Sequence, residues 1–559
     1  MRCAGCRWAD SFSLRAAVTD DVPRDMRISQ NAVLALVLAV AAAVFVYMVW
    51  GGLDRPGLYH DEKAYVLQSR IYLGLHFAEA SPPVPQLWEQ VHVFTQPHYA
   101  ARYPPGFPAV LAIGSAIGMP GLIPILCSAL TAALLFLFGQ QFTGRWTAFV
   151  ATSLWLAAPI NTEWRATYFS ESLTCLLWVS WCYFAWRYRT HGRRRDLIFT
   201  SLLVAFAGIT RPVTAIALAI PLIAILWPRI RTAIGRRDTL VAAAAGLVIC
   251  AVVPFWNHAV LDSWTTVPYA EYSARTYPFD MPTWKTDWSP APRELPPDMV
   301  ALGEAQRIGY SERSASALPG LYAHRLNRFA SDAVPFKYRW LRYIAPIGLL
   351  LLGGAGWVGL ASALLLVLAH ITMPHAAHWT IYYVDVFPVV AFGAVFALRR
   401  LLDFLAWGSP RITAMAPHAP AAALTIGLSL LLTGGSLWRP DPIDKEGWMQ
   451  REMPFRALVC ALPPGEKIVF VRARPGASPH HMLVDNDPRW RTSKTWIVRE
   501  WTTERNRALI EAAPARAAYI YDEKAGWMAL MNRDGTASTQ GVISVRDVDW
   551  STGRGLWCR

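Results

Sequence analysis

Two short clusters in this chain, Tyr59-His60-Asp61-Glu62 and Arg102-Tyr103-Pro104-Pro105-Gly106, carry the residue types for transfer chemistry at a lipid surface. Asp61 and Glu62 follow the end of an apolar run by about ten residues. A carboxylate near an apolar surface gains proton affinity and can take a proton from an attacking hydroxyl. The plainer alternative is a helix N-terminus, where acids meet the helix dipole. In the second cluster two prolines set an extended turn. Arg102 at headgroup depth presents a guanidinium fork that matches phosphate, with Tyr103 lining the same space. Its alternative is an arginine that snorkels to any headgroup.

Further along, Glu171 enters the top of an apolar run, six residues after Arg165. A carboxylate at a membrane boundary is costly without a partner, which makes it a functional candidate. The alternative is an ion pair with Arg165 that fixes the helix end. Arg211-Pro212 marks another boundary, where an arginine suits an anionic group or neutralises Glu171 or Asp61. His375 and His378 lie three apart in a short loop. With Asp61, Glu62 or Glu171 they form a ligand set for a divalent cation, although two histidines in a short loop more often hold nothing. Tyr382, Tyr383 and Asp385 top the next run and line the same cavity. P-loop, GxSxG and HExxH patterns are absent, and no acid or histidine sits near the midpoint of a run, where transporters place coupling groups.

These residues need a membrane scaffold to position them. The 559 residues are 54% hydrophobic and 16% charged, against about 25% charged in soluble proteins. The 26 tryptophans suit interfacial rings. The net charge of +14 sits in short loops between apolar runs, which is an orientation signal rather than a nucleic-acid surface. A hydrocarbon core of about 30 Å needs about 20 helical residues. Eleven runs qualify: 31–50, 121–140, 146–161, 169–187, 197–211, 212–227, 239–256, 340–354, 356–372, 381–398 and 419–437. The run 106–118 is shorter and reads as an interfacial helix.

With 106–118 outside the count, the arginines at 145, 187–195, 229–237 and 399–400 share the side of the N-terminus, so that side is cytoplasmic. The expected organisation is then a cytoplasmic segment 1–30, a transmembrane domain 31–437 with outer loops 51–120 and 257–339, and an outer α/β domain 438–559. The weakest step is 340–372, where a single long helix would put the tail inside. In the tail, Lys467–Ala473, Thr495–Glu500 and Ala517–Asp522 read as strands and Thr503–Ala513 as a helix. Cys460 and Cys558 fall in the tail and can pair if it is extracytoplasmic. Loop 257–339, rich in Pro, Trp and Tyr, reads as a partly ordered cover over the membrane face.

Taken in order, Asp61-Glu62, Arg102-Tyr-Pro-Pro-Gly, Tyr168-Phe-Ser-Glu171-Ser-Leu and Arg211-Pro212 resemble the GT-C glycosyltransferases, in particular the family 39 branch of protein O-mannosyltransferases and the aminoarabinose transferase of lipid A. The resemblance covers about residues 30–400. It implies a polyprenyl-phosphate sugar donor, an acceptor hydroxyl on a glycan, lipid or protein at the outer face, and inversion at the sugar. It matches Asp61 and Glu171 to the acids of the first two outer loops and Arg102 to the basic residue against the lipid phosphate. The protein mannosyltransferases carry His-Pro-Pro where this chain has Tyr103-Pro104-Pro105, and their sugar-binding repeat domain is missing, which argues against protein mannosylation. The rival expectation is a flippase for lipid-linked saccharides or another transporter. High alanine and arginine usage points to a bacterial inner membrane, with the site and the C-terminus on its periplasmic face and membrane lipids as neighbours.

Overall fold

Apolar runs bounded by arginine, proline and glycine set the helices of this chain. The computed structural model describes residues 24–50, 52–309, 314–376, 378–409, 411, 415–436, 448–474, 482–538 and 541–548. Helix α1 (Arg24–Trp50) leads to α2 (His60–Tyr72), and α3 (Gly106–Ala116) follows a small sheet. The bundle continues with α4 (Leu122–Thr143), α5 (Arg145–Leu156), α6 (Pro159–Arg165), α7 (Glu171–His191), α8 (Arg194–Gly208), α9 (Pro212–Ile230), α10 (Ala233–Cys250) and α11 (Val252–Leu261). Proline at the first turn of α6 and α9 sits where its missing N–H costs nothing.

Among the described residues six stretches are long and apolar enough to cross a membrane: Gln30–Val49, Leu122–Thr143, Pro212–Ile230, Ala233–Leu261, Gly354–Thr372 and Thr380–Gly408. The other five expected spans also fall on helices, each shorter or more polar than these. Helix α3 has 11 residues, about 16 Å of rise, too little to span.

The segment 257–339 is more ordered than its composition suggests. It forms α12 (Pro268–Thr276), α13 (Pro297–Gly309) and α14 (Leu318–Asp332). Then α15 (Leu341–Leu351) and α16 (Gly354–Ala369) are separate helices that break at Gly353, whose φ of 70° suits glycine. A Cβ on Gly356 would overlap the Leu349 carbonyl, so the two helices fold back on each other rather than forming a single long helix. Likewise a Cβ on Gly348 would overlap the carbonyl of Gly393 in α17 (Phe387–Gly408). Small residues at such crossings let backbones touch.

The segment between α2 and α3 carries three strands, β1 (Glu79–Ala80), β2 (Val93–Phe94) and β3 (His98–Ala101), in antiparallel order β1-β3-β2. The tail forms a five-stranded sheet ordered β5-β4-β6-β7-β8, from β4 (Lys467–Arg472), β5 (Thr495–Arg499), β6 (Ala517–Asp522), β7 (Trp527–Leu530) and β8 (Ile543–Ser544). Strand β4 runs parallel to β5 and β6 and is buried over most of its length, as a central parallel strand must be. Ile468 and Phe470 face the helix Thr503–Ala512 together with Leu87 and Trp88 of that segment. Val469 and Val471 face Phe455 and Leu458 of the helix Met453–Ala461. The tail therefore completes its core with side chains from the loop between α2 and β2. Cys460 is disulfide-bonded, and Cys558, its expected partner, lies outside the described residues.

Candidate active site

The acid pair at the start of α2 splits into two different environments, because successive helical residues point about 100° apart. Glu62 turns inward and is fully buried. Its carboxylate accepts from Arg55 at 2.7 Å, from the Tyr168 backbone N–H at 2.6 Å and from the Leu58 N–H at 2.8 Å. Arg55 in turn lies over the Tyr168 ring at 3.7 Å. Glu62 thus ties α2 to the turn before α7, the capping role expected for an acid at a helix start.

Asp61 faces the other way, with a side chain 30% exposed. The Tyr103 hydroxyl donates to it, and the Nε2 atoms of His60 and His92 stand 3.0 and 3.5 Å away. Tyr103 is held by stacking on Tyr65, ring centroids 4.5 Å apart. Burial alone would raise the Asp61 carboxyl, but the two imidazoles and the Tyr103 hydroxyl overcome it and hold the group well below the ordinary carboxylate range.

Arg102 is less accessible than its sequence context suggests. It is 3% exposed, and its guanidinium donates to Asp280 at 2.7 Å and to Ser273 at 3.0 Å. It also lies 4.2 Å from the Tyr269 ring centroid. Burial works against its charge, and Tyr269, Asp280 and Tyr103 restore it, so Arg102 titrates well above its ordinary value. Asp280 is shifted up by the same burial, with Arg102 opposing. Arg102 therefore buttresses the wall behind Asp61, with its guanidinium tied to Asp280 and Ser273.

Glu171 at the head of α7 pairs with Arg211 at 3.2 Å, and Arg211 also binds Asp385 at 3.0 Å. The alternative pairing of Glu171 with Arg165 is not formed. Arg165 instead bonds Asn161 and Thr162 and covers the Trp155 ring at 4.3 Å. The Thr174 hydroxyl donates to Asp385, which fixes that carboxylate between α7 and α9. Asp61 lies within electrostatic range of Glu171. Tyr269 lies within range of Asp61, Asp280, Arg102 and Arg211, and Tyr382 within range of Tyr269, Asp61, Asp280 and Glu171. One polar region thus collects Asp61, Glu171, Arg211, Tyr103, Tyr382 and, behind it, Arg102.

Of the remaining expected residues, His375 lies against Tyr382, ring centroids 4.5 Å apart. Tyr383 is buried, with its hydroxyl 2.9 Å from His375 Nε2, while His375 Nδ1 stands 2.9 Å from the Ala376 carbonyl. Both nitrogens of His375 are therefore engaged, and His378 is exposed. Among the described residues the cluster able to hold a cation is His60, Asp61 and His92, whose ligand atoms all lie within 4.8 Å of one another. It shares only Asp61 with the expected ligand set. His92, Tyr269 and Asp280 went unremarked in the sequence. His60 was in view beside Asp61, but nothing local ties His92, in a short strand-like stretch, to an acid 31 positions earlier.

Residues 103–256 match the family described as Dolichyl-phosphate-mannose-protein mannosyltransferase. No curated protein is similar enough in sequence to count as a relative. Among solved structures, the chain is similar to ArnT from Cupriavidus metallidurans bound to undecaprenyl phosphate, at 14% identity over 87% of this chain and 92% of that one, with a TM-score of 0.44. The Archaeoglobus fulgidus oligosaccharyltransferase gives 12% identity over 81% and 64%, with a TM-score of 0.39. The arabinosyltransferase EmbB from Mycobacterium smegmatis gives 13% identity over 77% and 32%, with a TM-score of 0.36.

Proposed function

We propose that this glycosyltransferase-like chain moves a sugar from a polyprenyl-phosphate donor to an acceptor hydroxyl at the outer face of a bacterial inner membrane. The observation that carries the reading is the Asp61 carboxylate, part-exposed and fixed by Tyr103, His60 and His92, on the same polar region as Glu171 and Arg211. The acceptor oxygen attacks the anomeric carbon as the bond to the phosphate oxygen breaks. The phosphate leaves on its lipid, and the acceptor proton passes to Asp61. A single displacement inverts the anomeric centre. Asp61 is a weak base, so its proton transfer comes late, after charge has built on the departing phosphate. Arg211, shared between Glu171 and Asp385, is the cation assigned to that charge, and stabilising it supplies much of the rate.

The donor tail is assigned to an apolar cavity of about 500 Å³ between α4, α7, α9 and α16, lined by Trp178, Trp186, Phe142 and Trp357. Trp178 lies seven residues below Glu171 on α7, about 10 Å along the axis, so phosphate and tail fit one molecule. His60, Asp61 and His92 are the residues that would hold a divalent ion, which would supply positive charge beside the phosphate. The outer placement rests on the arginines at the far end of α7, Arg187 and Arg189, opposite Glu171. The disulfide at Cys460 suits an oxidising compartment.

The test is transfer from a synthetic polyprenyl-phosphate sugar by purified wild type and Asp61→Asn. The variant should fold as the wild type and lose about 10²–10⁴ in rate, and the wild-type product should carry the opposite anomeric configuration to the donor. Full activity in Asp61→Asn would remove the assigned base, and a retained configuration would remove the single displacement.

A further inference from the structure

Helix α2 has two functional faces, and only one belongs to the site above. Asp61 and Tyr65 lie one turn apart on the face toward Tyr103. Val66 and Arg70 lie one turn apart on the opposite face, and that face lines a second, polar cavity of about 850 Å³ between the interfacial helices and the tail domain. Arg70 is nine residues beyond Asp61, about 13 Å along the helix.

The lining of this cleft is unbalanced in charge. It includes Arg70, Arg456, Lys467, Arg489 and Lys494 against Asp54, Asp485 and Asp487. Two of the acids are already answered: Asp485 by Arg456 at 2.8 Å and Asp487 by Arg489 at 3.2 Å. The rim is apolar where it meets the interfacial helices. Leu73 lines the cleft and is 41% exposed. Gly118 lines it between Ile117 and Met119, which are 57% and 42% exposed. A polar, cation-rich chamber beside a fringe of exposed apolar side chains matches an amphiphile lying at the bilayer surface, with its head in the chamber and its chains in the lipid.

We propose that the cleft between α2, the turn after α3 and the tail domain is a binding site for the net-anionic phosphate headgroup of a membrane lipid, separate from the sugar-transfer site. The inference does not depend on that transfer.

The full-length protein is reconstituted in nanodiscs of equal phosphatidylglycerol and phosphatidylcholine, extracted, and weighed with its retained lipid by native mass spectrometry. Wild type retains phosphatidylglycerol preferentially. Arg70→Gln loses about fivefold of that preference, the worth of one interfacial cation. Arg489→Gln with Lys494→Gln, both exposed and away from the helix, loses more and guards against a folding defect at Arg70. Asp61→Asn keeps the wild-type preference. Preference undiminished by millimolar inorganic phosphate assigns the site to a lipid headgroup. Preference abolished by inorganic phosphate overturns the lipid assignment in favour of a soluble phosphate. Equal retention of the two lipids by wild type, or an unchanged preference in both cleft variants, overturns the proposal.

Discussion

At the scale of single residues, the informative contrast is between Asp61 and Glu62, adjacent acids with opposite duties. Glu62 has no exposed surface and answers Arg55 and three backbone N–H groups. Removing its charge strands a buried arginine, so Glu62→Gln should cost about 3–5 kcal/mol, read as a lower unfolding midpoint in detergent. Asp61→Asn should leave that midpoint nearly unchanged. A Glu62→Gln protein as stable as wild type would remove the structural role. The pair itself was legible in the sequence, and so was Glu171, because charge at the edge of an apolar run is conspicuous. The division of labour was not, since it depends on which way a helix of unknown partners is turned. Arg102 was legible as important but its ion pair was not, because the counter-charge Asp280 comes from a loop 178 residues away.

Among the elements, α2 is held by the tail as well as by the bundle. Lys63 reaches Glu452 at 2.5 Å and donates to the Met482 carbonyl, both contacts buried. Glu452 lies 3.4 Å from Arg456, which binds Asp485. Burial would push the Asp485 carboxyl up, but Arg456, Lys63 and Arg70 outweigh it and pull the group down. A depressed carboxylate contributes stability in full above its unfolded value of about 3.9 and loses it as pH falls through the folded value. Docking of the tail should therefore persist from neutral pH to about pH 4 and loosen below that. The edge-to-face cluster of Trp88, Trp490 and Trp496 gives a fluorescence readout. Asp485→Asn should lack this acid step, and identical acid profiles for variant and wild type would count against it. The tail strands were legible because β-rich apolar runs of five or six residues stand out. Strands β1 and β2, of two residues each, carry no readable alternation. Helices α12–α14 were hidden by the prolines of their loop, several of which start helices instead of preventing them.

For the whole molecule, the bundle and the tail are not independent modules, because Leu87 and Trp88 sit in the tail's own core. Trp88→Ala should cost about 3–5 kcal/mol. The loss should appear in the tail, as faster proteolysis within 467–530, although the substitution is nearly four hundred positions away. A tail as resistant as wild type would contradict the shared core. The division into a membrane domain and an α/β domain was readable from composition, but this dependence was not, since it is a contact between distant segments with no local mark. It also sets a timetable. During synthesis the loop bearing Trp88 leaves the ribosome about 380–440 residues ahead of the strands that cover it, a delay of roughly 20–90 s at ordinary elongation rates. Through that interval a large aromatic surface stands uncovered beside the translocation machinery, so the nascent chain is a natural client for a chaperone on the side where the loop emerges.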